Sequence, residues 1–224
     1  VNIALGFLYQ DWYKLISNNL SEVDGINIEL GCGASFIDQT IHKIKKTDVF
    51  LNSNTCFKLD AMEIGKKFEN EISNLILVNV FHHISNPELF LRSAEKSLLS
   101  HGRIIMIEPS NNFWSRLIYK LIGHERFDTK QISWKFESKD PLLDSNQALS
   151  WIIFIRDYEK FKNLFPMFSI RQIKAVMPIS YLISGGHSYN TKIGKIIINI
   201  LRKIEKIFFD KYFGMFNLIC IEKN

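Results

Sequence analysis

Residues 26–33, Ile26-Asn27-Ile28-Glu29-Leu30-Gly31-Cys32-Gly33, run from an apolar stretch into two glycines separated by one residue. Ile26–Leu30 reads as a short strand, and glycines at its end let the backbone turn with positive φ and pass close to a ligand. Ala34–Ile44 is read as the helix that follows. Strand, glycine turn and helix in succession make a ligand-binding corner of a parallel sheet. The dinucleotide form of that corner wants a third glycine at the sixth position, G-x-G-x-x-G. Counted from Gly31 that position is Phe36, which would crowd a pyrophosphate.

Working outward, the chain alternates strands and helices. An amphipathic helix is expected over 5–19, and further strands over 47–51, 55–59, 74–80 and 103–108. Asn74–Val80 is nearly all apolar, as a strand covered on both faces should be. Pro87 opens a helix to about Ser100, at the first turn where its missing N–H costs nothing. Alternation of this kind implies right-handed crossovers and a parallel sheet, with ligands at the carboxyl ends of its strands. The second half is less regular: helices over 112–122 and 157–164, a polar, turn-rich stretch over 123–149, a strand over 168–176, a long helix over 192–211 and a last strand over 216–221.

The residues at those strand ends suit a nucleoside bearing an amino acid. Asp48 can accept both ribose hydroxyls, or it is a solvated loop aspartate. Asp60 can accept an adenine amino group while Ala61 and Met62 pack on the ring, and Asn79 with Val80 can meet a methionine amino group. Cys32 lies within the glycine turn, and acidic Glu29 favours a cationic sulfonium over a dianionic phosphate. S-Adenosyl-L-methionine, with S-adenosyl-L-homocysteine as its product, fits this set. His82 is placed as a general base facing the methyl donor, with His83 and Glu108 as further catalytic candidates. No metal site is expected, because adjacent histidines project differently.

Taken together, Glu29-Leu-Gly-Cys-Gly33, Leu59-Asp60-Ala61, Val80-Phe-His-His-Ile84 and Ser100-His-Gly-Arg-Ile-Ile-Met-Ile-Glu-Pro109 resemble the class I (Rossmann-like) methyltransferases, and within them the methyltransferase type 11 group. Ser100-His101 replaces the usual Pro-Gly of that group, and Ser35 its third glycine. Further pieces resemble a narrower group of bacterial proteins: Tyr9-x-x-Trp12-Tyr13, Phe113-Trp114-Ser115-Arg116-x-x-Tyr119, His124-Glu125-x-Phe127, Trp151 to Asp157 and Tyr181 to Gly186. The resemblance implies a single domain over 1–224. Its fold is α/β, a Rossmann-like doubly wound and mostly parallel seven-stranded sheet of order 3-2-1-4-5-7-6. The last strand is antiparallel, helices flank the sheet, and a helical lid or insertion follows strand 5.

Acceptor specificity is expected outside the sheet, in an N-terminal lid helix (1–20) and an insertion (110–190). Tyr9 and Tyr13 either close over the cofactor or pack within their helix; Arg116, His124, Glu125 and Arg156 either bind a polar acceptor or pair with one another. Residues 190–212 form a basic amphipathic helix. Residues 190–224 carry net +4 of the chain's +5, so the basicity is local rather than a chain-wide nucleic-acid signature. That helix, over 192–211, either packs on the sheet or a dimer face, or touches an anionic membrane. Amino-directed nucleic-acid methyltransferases place Asn/Asp-Pro-Pro-aromatic after the fourth strand; Asn79-Val80-Phe81-His82 stands here instead.

Three cysteines without zinc spacing suggest a reduced, cytoplasmic setting, and no apolar run reaches the ~18–20 residues that span a bilayer. The expected activity is therefore methyl transfer to an O or N atom of a small-molecule acceptor, such as a glycan, a lipid-linked sugar or a secondary metabolite, by a monomer or homodimer. A catalytically silent adenosylmethionine-binding regulatory module is the alternative, with an NAD-dependent oxidoreductase behind it.

Overall fold

The apolar stretches that demanded cover on both faces lie side by side at the centre of one sheet. The computed structural model describes residues 3–122, 125–177, 180–183, 195–208 and 213–224. Its strands are β1 (Ile26–Leu30), β2 (Ile44–Asp48), β3 (Phe57–Lys58), β4 (Ile72–Val78), β5 (Leu98–Pro109), β6 (Phe168–Val176) and β7 (Phe216–Lys223), in the order β3-β2-β1-β4-β5-β7-β6. Pairs among β1–β5 are parallel, while β7 runs antiparallel to both β5 and β6. The expected sheet is therefore the observed one.

Alternation along the central strands divides the core in two, because successive side chains point to opposite faces. Leu75 and Leu77 of β4, Ile104 and Met106 of β5, and Ile219 and Ile221 of β7 pack on one face. Phe90, Leu91 and Ala94 of α3 (Pro87–Ser97) pack there with Ile152–Phe154. Ile76, Ile105, Ile107, Leu218 and Cys220 point the other way, onto Leu8, Trp12, Tyr13 and Ile16 of α1 (Ile3–Ser17). α3 begins as its sequence dictates: Pro87 lies in the first turn, and the Asn86 side chain accepts the Leu89 N–H at 3.2 Å. Such a cap contributes roughly 1 kcal/mol.

The helix expected over Ala34–Ile44 does not form. Only a 3₁₀ turn, Ile37–Gln39, separates the glycine loop from β2. Lys43 takes φ 58° to reverse the chain, because β2 must already pair with β1 at Asn27↔Ile44. Strand register overrides local propensity here. Ile37 and Ile41 still bury their side chains, against α1, which covers this face in place of the missing helix.

The same register moves β2 three residues earlier than expected. Asp48 closes it by accepting the Phe50 N–H, and Phe50 and Leu51 turn out to solvent. β3 is shorter than the expected 55–59, and β4 ends at Val78 rather than Val80, because Asn79 takes φ 56° and leaves the sheet. β6 spans the residues expected.

Short α2 (Ile64–Lys67) follows β3, and α4 (Phe113–Ile122) follows β5. Two helical turns the sequence did not announce, α5 (Leu149–Trp151) and a π-turn over Ile152–Arg156, lead into α6 (Tyr158–Leu164). α7 (Ser180–Ile183) and α8 (Lys195–Phe208) precede β7. The flanks of the long helix expected over 192–211 lie outside the described residues.

Within α8 Lys203 is exposed as expected, but some of the apolar and charged positions exchange places. Arg202 and Glu205 are buried, paired at 2.6 Å, and Arg202 also meets Asp11 of α1 at 3.0 Å. Ile196, Ile197, Ile200 and Ile204 are exposed. The buried carboxylate of Glu205 also accepts the Ser180 N–H at the start of α7, so ionic and polar contacts tie α8 to α1 and α7.

Candidate functional site

The glycine loop after β1 adopts the turn its residues permit. Gly31 and Gly33 have φ of 65° and 48°. A Cβ on Gly31 would stand 2.6 Å from a Val80 methyl, whereas one on Gly33 would meet nothing within 4 Å. The first glycine is thus required by the close approach of Val80, and the second opens onto a cavity. The Asp48 carboxylate holds the loop by accepting the Gly33 N–H at 2.9 Å, and the Thr47 carbonyl accepts the Cys32 N–H at 2.9 Å.

That cavity, of about 260 Å³, lies at the carboxyl ends of β1, β2 and β4. Eight of the ten residues expected to hold a cofactor line it: Gly31, Gly33, Asp48, Asp60, Ala61, Met62, Asn79 and Val80. Leu30, Val49, Leu59 and Ile84 supply apolar walls suited to a planar ring. Asp60 also caps the turn Ala61–Glu63, accepting the Met62 N–H at 2.8 Å, which fixes Ala61 and Met62 on the wall.

Cys32 and Glu29 do not line the cavity. Cys32 is buried, with its thiol near Thr55, and burial pushes that thiol up. Glu29 is buried beneath the loop, beside Ser35 and Tyr13. Burial pushes its carboxyl up to about 8 against the pull of Ser35 and Lys46, so it is uncharged at neutral pH. The expectation that its charge faces a sulfonium is corrected: at this position the acid sits in the apolar layer under α1.

Beyond Asn79 lies a second cavity of about 210 Å³, lined by His82, His83, Tyr119, Glu125, Gln147 and Tyr181 among others. Asn79 and His83 belong to both cavities. Asn79 Oδ1 is buried there without a hydrogen-bond partner.

The turn Phe81–His83 between the cavities is clamped from below by Glu108 at the end of β5. Its Oε1 accepts the N–H groups of Val80 and Phe81 at 2.9 and 2.8 Å. Its Oε2 takes the His82 N–H at 3.3 Å and His82 Nδ1 at 2.6 Å. Glu108 is fully buried and lines neither cavity, so it positions the turn rather than meeting an acceptor. His82 meets a carboxylate on its other side too, with Nε2 3.2 Å from Glu125. Burial alone would push this imidazole down, but Glu108 and Glu125 outweigh it and bring it up to about 9. Partial burial would raise Glu125, yet His82 holds it down at about 2. His82 is therefore not the free base its position in the sequence suggested.

His83 differs. Its Nδ1 donates to the Asp144 carbonyl at 3.3 Å, and because a carbonyl only accepts, Nε2 carries the lone pair. Burial and the neighbouring His82 charge push this ring down. The expectation that adjacent histidines project apart also fails: the tight turn sets the two rings 4.3 Å apart between centroids.

The outer candidates divide. Tyr13 is buried in α1, its hydroxyl 3.1 Å from Ser35, and Tyr9 packs edge-on to Trp12 with its hydroxyl toward Asn79. Arg116 is on the exposed face of α4 and lines neither cavity. Arg156 spends its guanidinium on Asp157, at 2.8 and 2.9 Å, and on the Thr129 carbonyl. His124 lies outside the described residues. Gln147 and the role of Glu125 as the partner of His82 were missed, because nothing local marks a residue some 40 or more positions away as a neighbour.

No protein-family model and no curated protein matches the sequence. Solved structures do match in shape. A SAM-dependent methyltransferase from Archaeoglobus fulgidus aligns with TM-score 0.58 at 11% identity, over 97% of this chain and 93% of that one. The geranyl diphosphate C-methyltransferase of Streptomyces coelicolor A3(2), in complex with Mg2+, geranyl diphosphate and S-adenosyl-L-homocysteine, aligns with TM-score 0.56 at 11% identity, over 98% and 81%. This chain has the class I methyltransferase fold. A cyclase, SpnF, shares it with TM-score 0.50 at 12% identity, over 95% and 80%. The class I fold thus carries more than one chemistry, and the site must decide which.

Proposed function

We propose that this chain is an S-adenosylmethionine-dependent methyltransferase acting on an O or N atom of a small-molecule acceptor. The observation that carries the reading is the common wall: an apolar cleft over the glycine loop and a polar cavity share Asn79 and His83. Methyl transfer is an in-line displacement, so donor and acceptor must approach from opposite sides to within ~3–3.5 Å.

The residues present fit the cofactor. The orphaned acceptor atom Asn79 Oδ1 suits an ammonium group, and Asp48 and Asp60 stand at successive strand ends for ribose and adenine. Bound adenosylmethionine would supply the electrophilic methyl carbon, and the polar side chains of the second cavity would receive the acceptor and its proton. There His83, Glu125 and Gln147 would face the acceptor, with Glu108 clamping the turn and the Asp144 carbonyl holding the His83 ring. The exposed isoleucines of α8, in a segment of net +4, support a peripheral contact with an anionic membrane and so a lipid-linked acceptor. Among the described residues no helix is long and apolar enough to cross a membrane.

Calorimetric titration of the full chain with adenosylhomocysteine, and separately with NADH, tests the cofactor. Adenosylhomocysteine is expected to bind with a Kd on the order of 1–50 μM, some −6 to −8 kcal/mol, and NADH not at all. NADH binding without adenosylhomocysteine binding sinks the proposal.

A further inference from the structure

The two histidines and Glu125 converge. Nε2 of His82 stands 3.2 Å and Nε2 of His83 3.9 Å from Glu125 Oε2, and the three ligand-type atoms all lie within 4.8 Å of one another. Each ring is held from behind through Nδ1, His82 by the Glu108 carboxylate at 2.6 Å and His83 by the Asp144 carbonyl at 3.3 Å. A metal-binding histidine has that support: its second nitrogen donates to a carboxylate or a carbonyl, which aims the first nitrogen and raises its basicity. The cluster opens on the polar cavity, where Gln147 Oε1 is a buried acceptor with no partner.

We propose that His82, His83 and Glu125 form a three-ligand site for a divalent transition ion of the zinc type. Two imidazoles and one carboxylate are a donor set used by catalytic zinc, whose remaining position stays open for water or substrate. Magnesium and calcium prefer all-oxygen shells, so the imidazole pair selects against them. Donors around tetrahedral zinc stand about 3.3 Å apart, so the His82–Glu125 spacing of 3.2 Å is already suitable, and His83, 3.9 Å from Glu125 in a set that spans up to 4.8 Å, has to close by up to about 1.5 Å, within reach of a side-chain rotation. The ion would take the place of the proton His82 shares with Glu125, and would offset the two carboxylates that flank His82 in this interior. Its role, which rests on the methyl-transfer reading, would be to hold an acceptor hydroxyl or amine on the wall shared with the cofactor cleft.

The test is uptake of Co2+ by the full chain, followed by its visible absorption and by displacement with Zn2+. One equivalent is expected, with an affinity reduced by about 10–100-fold in each of His83→Ala and Glu125→Ala. Cooperative melting and an unchanged circular dichroism spectrum of the same variants show that they are folded. Absence of Co2+ uptake up to about 100 μM, weaker than any useful site, overturns the proposal. Unchanged uptake in both variants overturns it equally. One-equivalent uptake in a chain that fails to bind adenosylhomocysteine supports the metal site and sinks the methyl-transfer reading instead.

Discussion

The cleft over the glycine loop and the cavity beside it share two residues but are built differently. The cleft is backbone and strand ends: a positive-φ turn at Gly31 and Gly33, with Asp48 and Asp60 each holding a nearby N–H. Everything in it comes from residues 30–85 and a short piece at 138–142. The cavity is side chains, gathered from the turn after β4, from β5, α4, α7 and β7, and from the irregular stretch around Glu125 and Gln147. A ligand common to many proteins can be met by a local motif. A particular acceptor has to be met by pieces brought from far apart, and those pieces need an internal anchor, which here is Glu108.

The largest expected effect breaks the cavity at that anchor. Glu108→Ala leaves three buried N–H groups and the His82 ring without their acceptor, at a cost of roughly 3–5 kcal/mol. For a chain of this size that lowers Tm by roughly 6–20 °C in a melting scan. A wild-type melt would show that the clamp contributes nothing.

Next, Gly31→Val strikes the cleft. It forces a β-branched residue to φ 65° and drives its Cβ into Val80, so adenosylhomocysteine affinity should fall by about 100-fold or more. Gly33→Ala adds only the backbone strain, since its Cβ meets nothing within 4 Å, and should lose less. Equal losses would mean that the Val80 contact is irrelevant.

Asp60→Ala, which removes the acceptor for Met62 N–H, should weaken binding by about 5–10-fold, in line with a cap contribution near 1 kcal/mol, without touching the cavity. Smallest is Arg116→Ala. An exposed residue lining neither pocket should change binding and turnover by less than about twofold, and a larger loss of turnover would return it to the acceptor side.

This division also explains what the sequence revealed. The sheet was legible because Leu75–Val78 and Ile104–Ile107 are continuous apolar runs whose burial on both faces leaves few alternatives, and Ile26–Leu30 alternates into the glycine turn. The residues that line the cleft were legible because they stand at or just after the strand ends. The helix over 34–44 was misread because Ile37 and Ile41, four apart, mimic a helical face while in fact packing under α1. The partners of His82 and His83 were not legible because Glu125 and Asp144 lie in a stretch with no periodicity. The pairing of Arg202 with Glu205 and Asp11 was not legible, because Asp11 lies nearly the whole chain away.

One feature of the sheet bears on how the molecule is assembled. β7 lies between β5 and β6, yet it follows both in the chain. Until residues 216–223 arrive, β6 has no neighbour and the Ile104–Ile107 edge of β5 is bare, an apolar template open to any passing strand. Pairings of such long sequence separation form late. The interval before β7 docks is therefore when this protein is most exposed to misassembly, and a change that slows its docking would reduce yield while leaving both ligand cavities unaltered in the molecules that succeed.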